Sequence, residues 1–141
     1  MKSKQVIVIR KDLNMRKGKM VAQGAHASMK VILDMMTGQG GIKYVTSEGK
    51  EGEITKYLKY EGGTAMNDWL NGLFTKVCVS VDSEEELVSI YEEAKNKNIP
   101  CSIIVDSGLT EFSGVPTKTA VAVGPAWSEE VDKITGHLKL L

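Results

Sequence analysis

The chain has 141 residues, with 18 basic and 18 acidic side chains and a formal net charge of zero. This length is enough for one domain with a hydrophobic core and too short for two typical domains, so we expect residues 1–141 to form a single domain. No apolar run approaches the roughly 18 residues of a membrane span. The apolar start of the chain is β-branched and followed by charge, which predicts a strand and not a signal peptide. We therefore expect a cytoplasmic protein.

The charges are unevenly distributed along the chain. Residues 1–60 contain 12 Lys and Arg against 5 Asp and Glu, whereas residues 61–141 contain 6 against 13. Such asymmetry indicates a polyanion partner on one face, two halves that attract each other, or simply two solvated faces. Charge alone leaves these interpretations even.

The first predicted elements are a strand and a long helix. A strand is predicted at residues 6–10, because residues 6–9 are apolar in succession, which is typical of a central strand covered on both faces. After a polar turn that contains Gly18, residues 19–36 have helical spacing. Apolar residues recur there every three or four positions, which predicts one buried helix face formed by Ala22, Ala25, Met29, Ile32 and Met36.

Residues 38–64 are rich in lysine and glycine, and we interpret them as an excursion with weak structure, in which residues 54–60 could form a short helix. A short helix is predicted at residues 64–70, with Thr64 as a candidate cap and Trp69 as its anchor. Residues 74–81 form the second predicted strand. Ser83 and Glu86 have the spacing of a capping box, which predicts a helix from there to about residue 97.

The remaining pattern is strand, strand, helix. Strands are predicted at residues 101–105 and 119–123, and Pro125 is expected to break the chain. Ser128 is predicted to cap a last helix that ends before Gly136. Strands that alternate with helices predict an α/β protein, here a single-domain three-layer sandwich with a four-stranded mixed β-sheet flanked by helices.

The first helix contains the most informative side chains for function. Lys19, Gln23, His26 and Lys30 recur every three or four residues and form one narrow polar stripe at the border of the predicted buried face. The stripe could present hydrogen-bond donors to a ligand, or it could be a solvated helix flank with His26 against a neighbour. Geometry alone slightly favours the solvated flank.

The position of Lys19 strengthens the functional interpretation. Lys19 falls in the first turn of a helix that follows a strand, where backbone N–H groups favour an anion. Arg16 and Lys17 are close to the same helix end, so a phosphate or a developing oxyanion would be stabilised there. The segment lacks the glycine and Ser/Thr pattern of a Walker loop.

A second candidate segment is residues 106–111, directly after a buried strand. Ligands in α/β sheets usually bind beyond the carboxyl ends of strands, although Asp-Ser-Gly is also ordinary turn chemistry. If this end meets Lys19, then Lys19, Asp106 and the Thr110 hydroxyl share one cleft. The sequence has no Ser-His-Asp order or nucleophile elbow that would support covalent catalysis.

The cysteines and histidines carry no metal pattern. Cys78 and Cys101 lie in apolar strand-like runs and form no CxxC motif, so we expect buried reduced thiols. His26 and His137 lack zinc-site spacing. We predict no structural metal and no cofactor.

Three blocks of sequence, in order, resemble the second class of peptidyl-tRNA hydrolases, the archaeal- and eukaryotic-type class. The first block covers residues 4–27 and contains Gly18-Lys19 and Ala22-Gln23-Gly24-Ala25-His26-Ala27. The second block is Asp106-Ser107-Gly108-Leu109-Thr110-Glu111, and the third covers residues 122–125 and 134–141. The resemblance extends over nearly the whole chain except about residues 38–64.

The resemblance implies a compact α/β fold and metal-independent hydrolysis of the ester between a peptide and its tRNA, which releases tRNA for reuse. It implies that Lys19 is the cation near the ester or a phosphate, that Asp106 orients or activates the water, and that Thr110 supplies a hydroxyl. Gln23 and His26 would be supporting groups. The candidates for binding the tRNA are Arg16, Lys17, Lys30, Lys76, Gly108 and Lys118.

Two departures from the family pattern concern the grip on tRNA. Leu109 stands where the family usually has Arg, so either Lys76 or Lys118 replaces that cation or the affinity for RNA is lower. The segment at residues 38–64 is longer than in compact members, and its lysines would contact the acceptor stem unless it is only a surface insertion. The alternatives to the enzyme are a non-catalytic tRNA-binding or RNA-binding module on the same fold and a small-molecule hydrolase. Family members often form homodimers, so a homodimer is a further expectation.

Overall fold

The structure is a computed structural model that describes residues 2–38, 54–109 and 111–141. The strands in chain order are β1 (Ser3–Arg10), β2 (Thr37–Gly38), β3 (Lys56–Tyr57), β4 (Lys76–Val81), β5 (Cys101–Asp106), β6 (Thr117–Trp127) and β7 (Lys139–Leu140). The helices are α1 (Lys17–Met35), α2 (Ala65–Asn71), α3 (Glu84–Asn96) and α4 (Ser128–Thr135). A short 3-10 turn, Lys11–Leu13, connects β1 to α1.

The main sheet is mixed and has five strands in the order β5-β6-β1-β4-β7. Strands β1 and β4 are parallel, and every other neighbouring pair is antiparallel. The α/β class and the mixed sheet are therefore confirmed, but the predicted number of four strands is wrong. The fifth strand, β7, pairs only two residues with β4, and two residues are too few to produce a recognisable sequence pattern.

The core consists of two clusters because successive residues of β1 point to opposite faces of the sheet. Val6 and Val8 belong to a cluster that includes residues of α3 and α4. Ile7 and Ile9 belong to a second cluster, which packs against Ala27 and Val31 of α1 and against Ala120 and Ala122 of β6. Helix α1 therefore lies on one face of the sheet, and α3 and α4 lie on the other.

The predicted buried face of α1 is wrong. The buried residues of this helix are Gln23, Gly24, Ala27 and Val31, whereas Ala22, Ala25 and Met29 are exposed. Small residues allow the helix to approach the sheet closely, since a Cβ on Gly24 would meet the Ile7 side chain at 3.4 Å. Helix α1 thus buries part of its polar stripe and leaves an apolar stripe exposed, the reverse of the usual arrangement.

The caps of the helices are partly as predicted. The Ser83 hydroxyl accepts a hydrogen bond from the Glu86 N–H at 3.1 Å, and the Thr64 hydroxyl accepts one from Asn67, so both predicted caps are confirmed. The predicted Ser128 cap is wrong, because α4 begins at Ser128 itself and the capping position is Trp127, with no side-chain cap.

Two other local predictions are also wrong. Residues 54–60 contain no helix, and Lys56–Tyr57 pairs instead with Thr37–Gly38. The chain does not break at Pro125, because β6 continues to Trp127. The pairing of β1 with β6 shifts between Lys4 and Val6, so the proline lies at an irregularity where its missing N–H is not needed. The rest of the predicted excursion, residues 39–53, lies outside the described residues.

Candidate active site

The candidate site lies at one end of the main sheet, where α1 begins and β5 ends. Lys19 is in the first turn of α1, and Asp106 is the last residue of β5. The Lys19 Nζ lies 2.9 Å from the Asp106 Oδ1, and the two side chains are 16% and 13% exposed. The two segments that the sequence analysis considered together, one with Lys19 and one with Asp106, therefore do meet.

Within the described residues, three groups donate hydrogen bonds to the Asp106 carboxylate. Lys19 and the Gln23 Nε2, the latter at 3.4 Å, donate to Oδ1, and the Gly108 N–H donates to Oδ2 at 2.9 Å. These hydrogen bonds, the one from Lys19 first, hold the pKa of Asp106 below its ordinary value, and the opposing effect of burial is smaller. Asp106 is therefore an ionised carboxylate at neutral pH and a weak proton acceptor.

Gly108 is needed for the shape of the turn that follows β5. Its φ is +82°, a conformation that L side chains rarely adopt, and an added Cβ would lie 2.2 Å from the Val115 carbonyl oxygen. This turn directs the Gly108 N–H toward Asp106. Gly108 was predicted to bind tRNA, and the structure places it as a support for the carboxylate.

Thr119 belongs to this site, although the sequence did not indicate it. Its buried hydroxyl donates a hydrogen bond to the Gln23 Oε1, so the other end of the Gln23 amide is directed at Asp106. The pairing of β5 with β6 shifts at this point, since Ile104 pairs with Ala120 and Val105 pairs with Lys118. Thr119 is the extra residue of this irregularity, which turns its side chain toward α1. No sequence signal marks such a shift inside an apolar run.

The ring of Phe112 lies beside the ion pair. The Lys19 Nζ is 5.8 Å from the centre of the ring, within the range of a cation–π contact. Lys19 therefore contacts both a carboxylate and an aromatic ring, and most of its side chain is shielded from solvent. Such a cation can stabilise negative charge that develops on a substrate oxygen.

Comparison with known proteins assigns the chain to a family. Residues 3–141 match the model of the family described as peptidyl-tRNA hydrolase PTH2. The chain is 44% identical to a peptidyl-tRNA hydrolase of Methanocaldococcus jannaschii over 98% of this chain and 99% of that protein. It is 39% identical to one of Sulfurisphaera tokodaii over the full length of both proteins. The chain belongs to the PTH2 family.

Several residues that the resemblance assigned to this PTH2 chain lie away from the ion pair. His26 is exposed on α1, and Lys30 forms an exposed pair with Asp34 at 3.2 Å. Lys17 lines a cavity between α1 and β4 together with Cys78 and Leu141. Of the predicted stripe, the structure therefore brings only Lys19 and Gln23 into the site.

The two candidate replacements for the missing arginine differ in position. Lys76 is at the start of β4, opposite Gln5 of β1. The candidate site is at the other end of this strand pair, where Val81 is opposite Arg10. Five residues of strand separate Lys76 from that end by about 16 Å, so Lys76 does not replace the arginine beside Asp106. Lys118 is next to Thr117, the strand partner of Asp106, and its carbonyl accepts a hydrogen bond from Arg10. Leu109 itself is 84% exposed.

Some predicted residues cannot be placed in this PTH2 chain. Thr110 lies outside the described residues, as do Lys43 and Lys50 of the lysine-rich excursion. Within the described part of the excursion, the Lys59 Nζ lies over the ring of Tyr57. The assignments of Thr110 and of these lysines stay predictions.

Among residues 2–38, 54–109 and 111–141, no three His, Cys, Asp or Glu side chains are grouped so that they could hold a metal ion. In the same residues, no helix has both the length and the apolar character needed to span a bilayer. Both cysteines are free, but Cys78 is exposed and Cys101 only partly buried, so the predicted burial of the Cys78 thiol is wrong.

Proposed function

We propose that the site at the Lys19–Asp106 ion pair is where this member of the peptidyl-tRNA hydrolase PTH2 family cleaves the ester between the peptide and the tRNA 3′ end. The observation that carries the proposal is the shielded ion pair, with a 2.9 Å contact and a carboxylate supported by Gln23 and Gly108. Water has restricted access to such a site, so its electrostatic interactions are stronger than in bulk solvent.

The chemistry of ester hydrolysis assigns a separate task to each group. A water oxygen attacks the ester carbonyl carbon and loses a proton to solvent, while the carbonyl oxygen becomes an oxyanion. The tetrahedral intermediate then re-forms the carbonyl and expels the ribose oxygen, which takes a proton from solvent. We assign the ammonium of Lys19 to the oxyanion, because a preorganised cation stabilises the charge that develops in the transition state. Asp106 has a lowered pKa and therefore suits the orientation of the water and of Lys19 better than proton removal.

Gln23 and Thr119 support this arrangement without contacting the ester. The hydroxyl of Thr119 fixes the orientation of the Gln23 amide, and the amide in turn donates to Asp106. Thr110 remains our candidate for a hydroxyl that binds the attacking water. His26, on the exposed part of α1, remains a proposed supporting group. Lys30 on the same helix, and Arg16 and Lys17 at its start, remain proposals for contacts with the tRNA.

The proposal is tested by the release of free tRNA from an N-acetylated aminoacyl-tRNA in the presence of EDTA. We expect turnover by the wild type and at least a hundredfold lower kcat in Lys19→Ala and Asp106→Ala, because removing one electrostatic stabiliser typically costs about that factor. Lys133→Ala, which removes an exposed charge from α4 on the other face of the sheet, is the matched control. Binding of tRNA without turnover by the wild type would support the non-catalytic module instead.

We also propose that the chain forms a homodimer through the exposed stripe of α1. In the predicted three-layer sandwich, α1 forms one outer layer, and it covers only part of the sheet face on which it packs. Two adjoining cavities of about 460 and 500 Å³ share Ile7 and Ala25 and run between α1 and β4. Val21 and Met29 beside them are 72% and 62% exposed. An apolar ridge next to an apolar groove is self-complementary, which suits a two-fold interface between identical copies.

The substrate supports the predicted location in the cytoplasm. Peptidyl-tRNA is released from the ribosome during translation, so an enzyme that recycles it acts where translation takes place.

A further inference from the structure

A polar cavity adjoins the Lys19–Asp106 pair through Phe112. It has a volume of about 410 Å³ and is lined by Leu13, Asn14, Arg16, Glu111 and Phe112. Phe112 is shared with the site, since its ring centre lies 5.8 Å from the Lys19 Nζ. A molecule in this cavity would therefore lie directly next to a group that reacts at Lys19.

The lining combines one aromatic ring with three polar side chains of different kinds. Arg16 and Glu111 are exposed, and neither forms an ion pair with another described residue. An aromatic ring stacks on any nucleobase, and a carboxylate accepts a hydrogen bond from an exocyclic amino group. A guanidinium binds phosphate or stacks on a base. The cavity thus contains the groups that recognise an unpaired nucleotide.

We propose that this cavity binds the terminal adenine of the tRNA, the base of the nucleoside whose ribose carries the ester. This inference rests on the proposed function, because it takes Lys19 as the place of the reaction. The base and the ester belong to the same nucleoside, so they are separated by no more than the length of one ribose. The cavity that Phe112 lines is close enough to Lys19 for this separation. Peptides differ from one substrate molecule to the next, whereas the 3′ end of tRNA is constant. A defined set of polar side chains therefore matches the constant base better than the variable peptide.

Phe112 is the residue that makes the subsite testable. It packs against the core cluster on the α1 face, so a change to leucine keeps apolar contact but removes the aromatic face. We compare Phe112→Leu and Phe112→Trp with the wild type on two substrates, N-acetylaminoacyl-tRNA with its terminal adenine and the same ester on a tRNA whose terminal base has been removed.

We expect Phe112→Leu to lower kcat/KM about tenfold on the substrate with the base and less than threefold on the abasic one. Phe112→Trp, which keeps a stacking surface, should retain the wild-type ratio of kcat/KM between the two substrates, whatever its effect on the absolute values. Equal losses in Phe112→Leu on the two substrates would overturn the subsite, because the ring would then act only by packing near Lys19. In that outcome wild-type turnover persists, so the proposed function stands and only the subsite fails.

A binding measurement tests the subsite without any turnover. The trinucleotide cytidine-cytidine-adenosine, without an attached amino acid, is titrated into the wild-type protein, and the ring resonances of Phe112 are followed by NMR. Stacking should give saturable shifts that the dinucleotide cytidine-cytidine does not produce. Unchanged ring resonances at millimolar trinucleotide would overturn the subsite, whether or not the protein cleaves the ester.

Discussion

The carboxylate of Asp106 links the site to stability through its pKa. Because hydrogen bonds in the folded protein lower this pKa below the ordinary value of 3.8, Asp106 stabilises the fold above that pH and the contribution is lost as the pH falls through the folded-state pKa. We therefore expect the free energy of unfolding to decrease more steeply below about pH 4 in the wild type than in Asp106→Asn. Urea denaturation between pH 3 and pH 7 measures this.

Asp34→Asn is the matched control for this measurement, since Asp34 belongs to an exposed pair with Lys30. Exposed pairs contribute little to stability, so its acid dependence should follow that of the wild type. Parallel pH curves for the wild type and Asp106→Asn would contradict the hydrogen-bonded, ionised state of Asp106.

At the residue scale, the sequence indicated Lys19, Asp106 and Gln23 of the candidate site but not Thr119. Lys19 and Asp106 could be predicted because one begins a helix after a strand and the other ends a strand. Thr119 could not be predicted, because its orientation depends on a shift in the pairing of β5 with β6. His26 shares a helical stripe with Gln23, but only Gln23 points into the site.

At the scale of elements, the two serines predicted as helix caps give a matched pair of mutations. Ser83→Ala removes a hydroxyl that accepts from the Glu86 N–H, and we expect a loss of about 1 kcal/mol in the free energy of unfolding. Ser128→Ala removes a hydroxyl that caps nothing and should change stability by less than about 0.5 kcal/mol. Urea denaturation of both variants measures the difference, and equal losses would contradict the assigned start of α4.

Hydrophobic periodicity and turn residues were enough to predict the order of the larger elements. They did not predict which face of α1 packs against the sheet. A helical wheel assigns apolar residues to the core, but α1 packs on the sheet through Gly24, Ala27 and Val31 and buries Gln23 to reach Asp106. The hydrogen bond from Gln23 to Asp106 therefore lies on the buried face of α1. The apolar residues on the other side, including Val21 and Met29, are left exposed.

At the scale of the whole molecule, that exposed stripe predicts the oligomeric state. We expect the wild type to sediment as a dimer and Met29→Glu to sediment as a monomer, because the change places a charge in the proposed interface. Leu109→Glu is the control, since Leu109 is 84% exposed and is not part of the stripe. A monomeric wild type, or a Met29→Glu variant that remains dimeric, would contradict the proposed interface.

The uneven charge of the chain predicts how turnover depends on salt. If Arg16, Lys17 and their neighbours contact phosphates, kcat/KM on a tRNA substrate should fall steeply as NaCl rises from 50 to 200 mM, through the release of counterions. A minimal substrate, an N-acetylaminoacyl ester of adenosine, offers no chain of phosphates and should show a weak dependence. A flat response on both substrates would favour a small-molecule hydrolase.

The most direct test of the central claim is a double-mutant cycle at the ion pair, measured under single-turnover conditions with N-acetylaminoacyl-tRNA. Residues that act as one unit are not additive, so we expect Lys19→Ala and Asp106→Asn each to slow cleavage at least a hundredfold. The double variant should be no slower than the slower single variant. Cleavage near the wild-type rate in either single variant, or losses that multiply in the double variant, would contradict a joint role of Lys19 and Asp106 in hydrolysis.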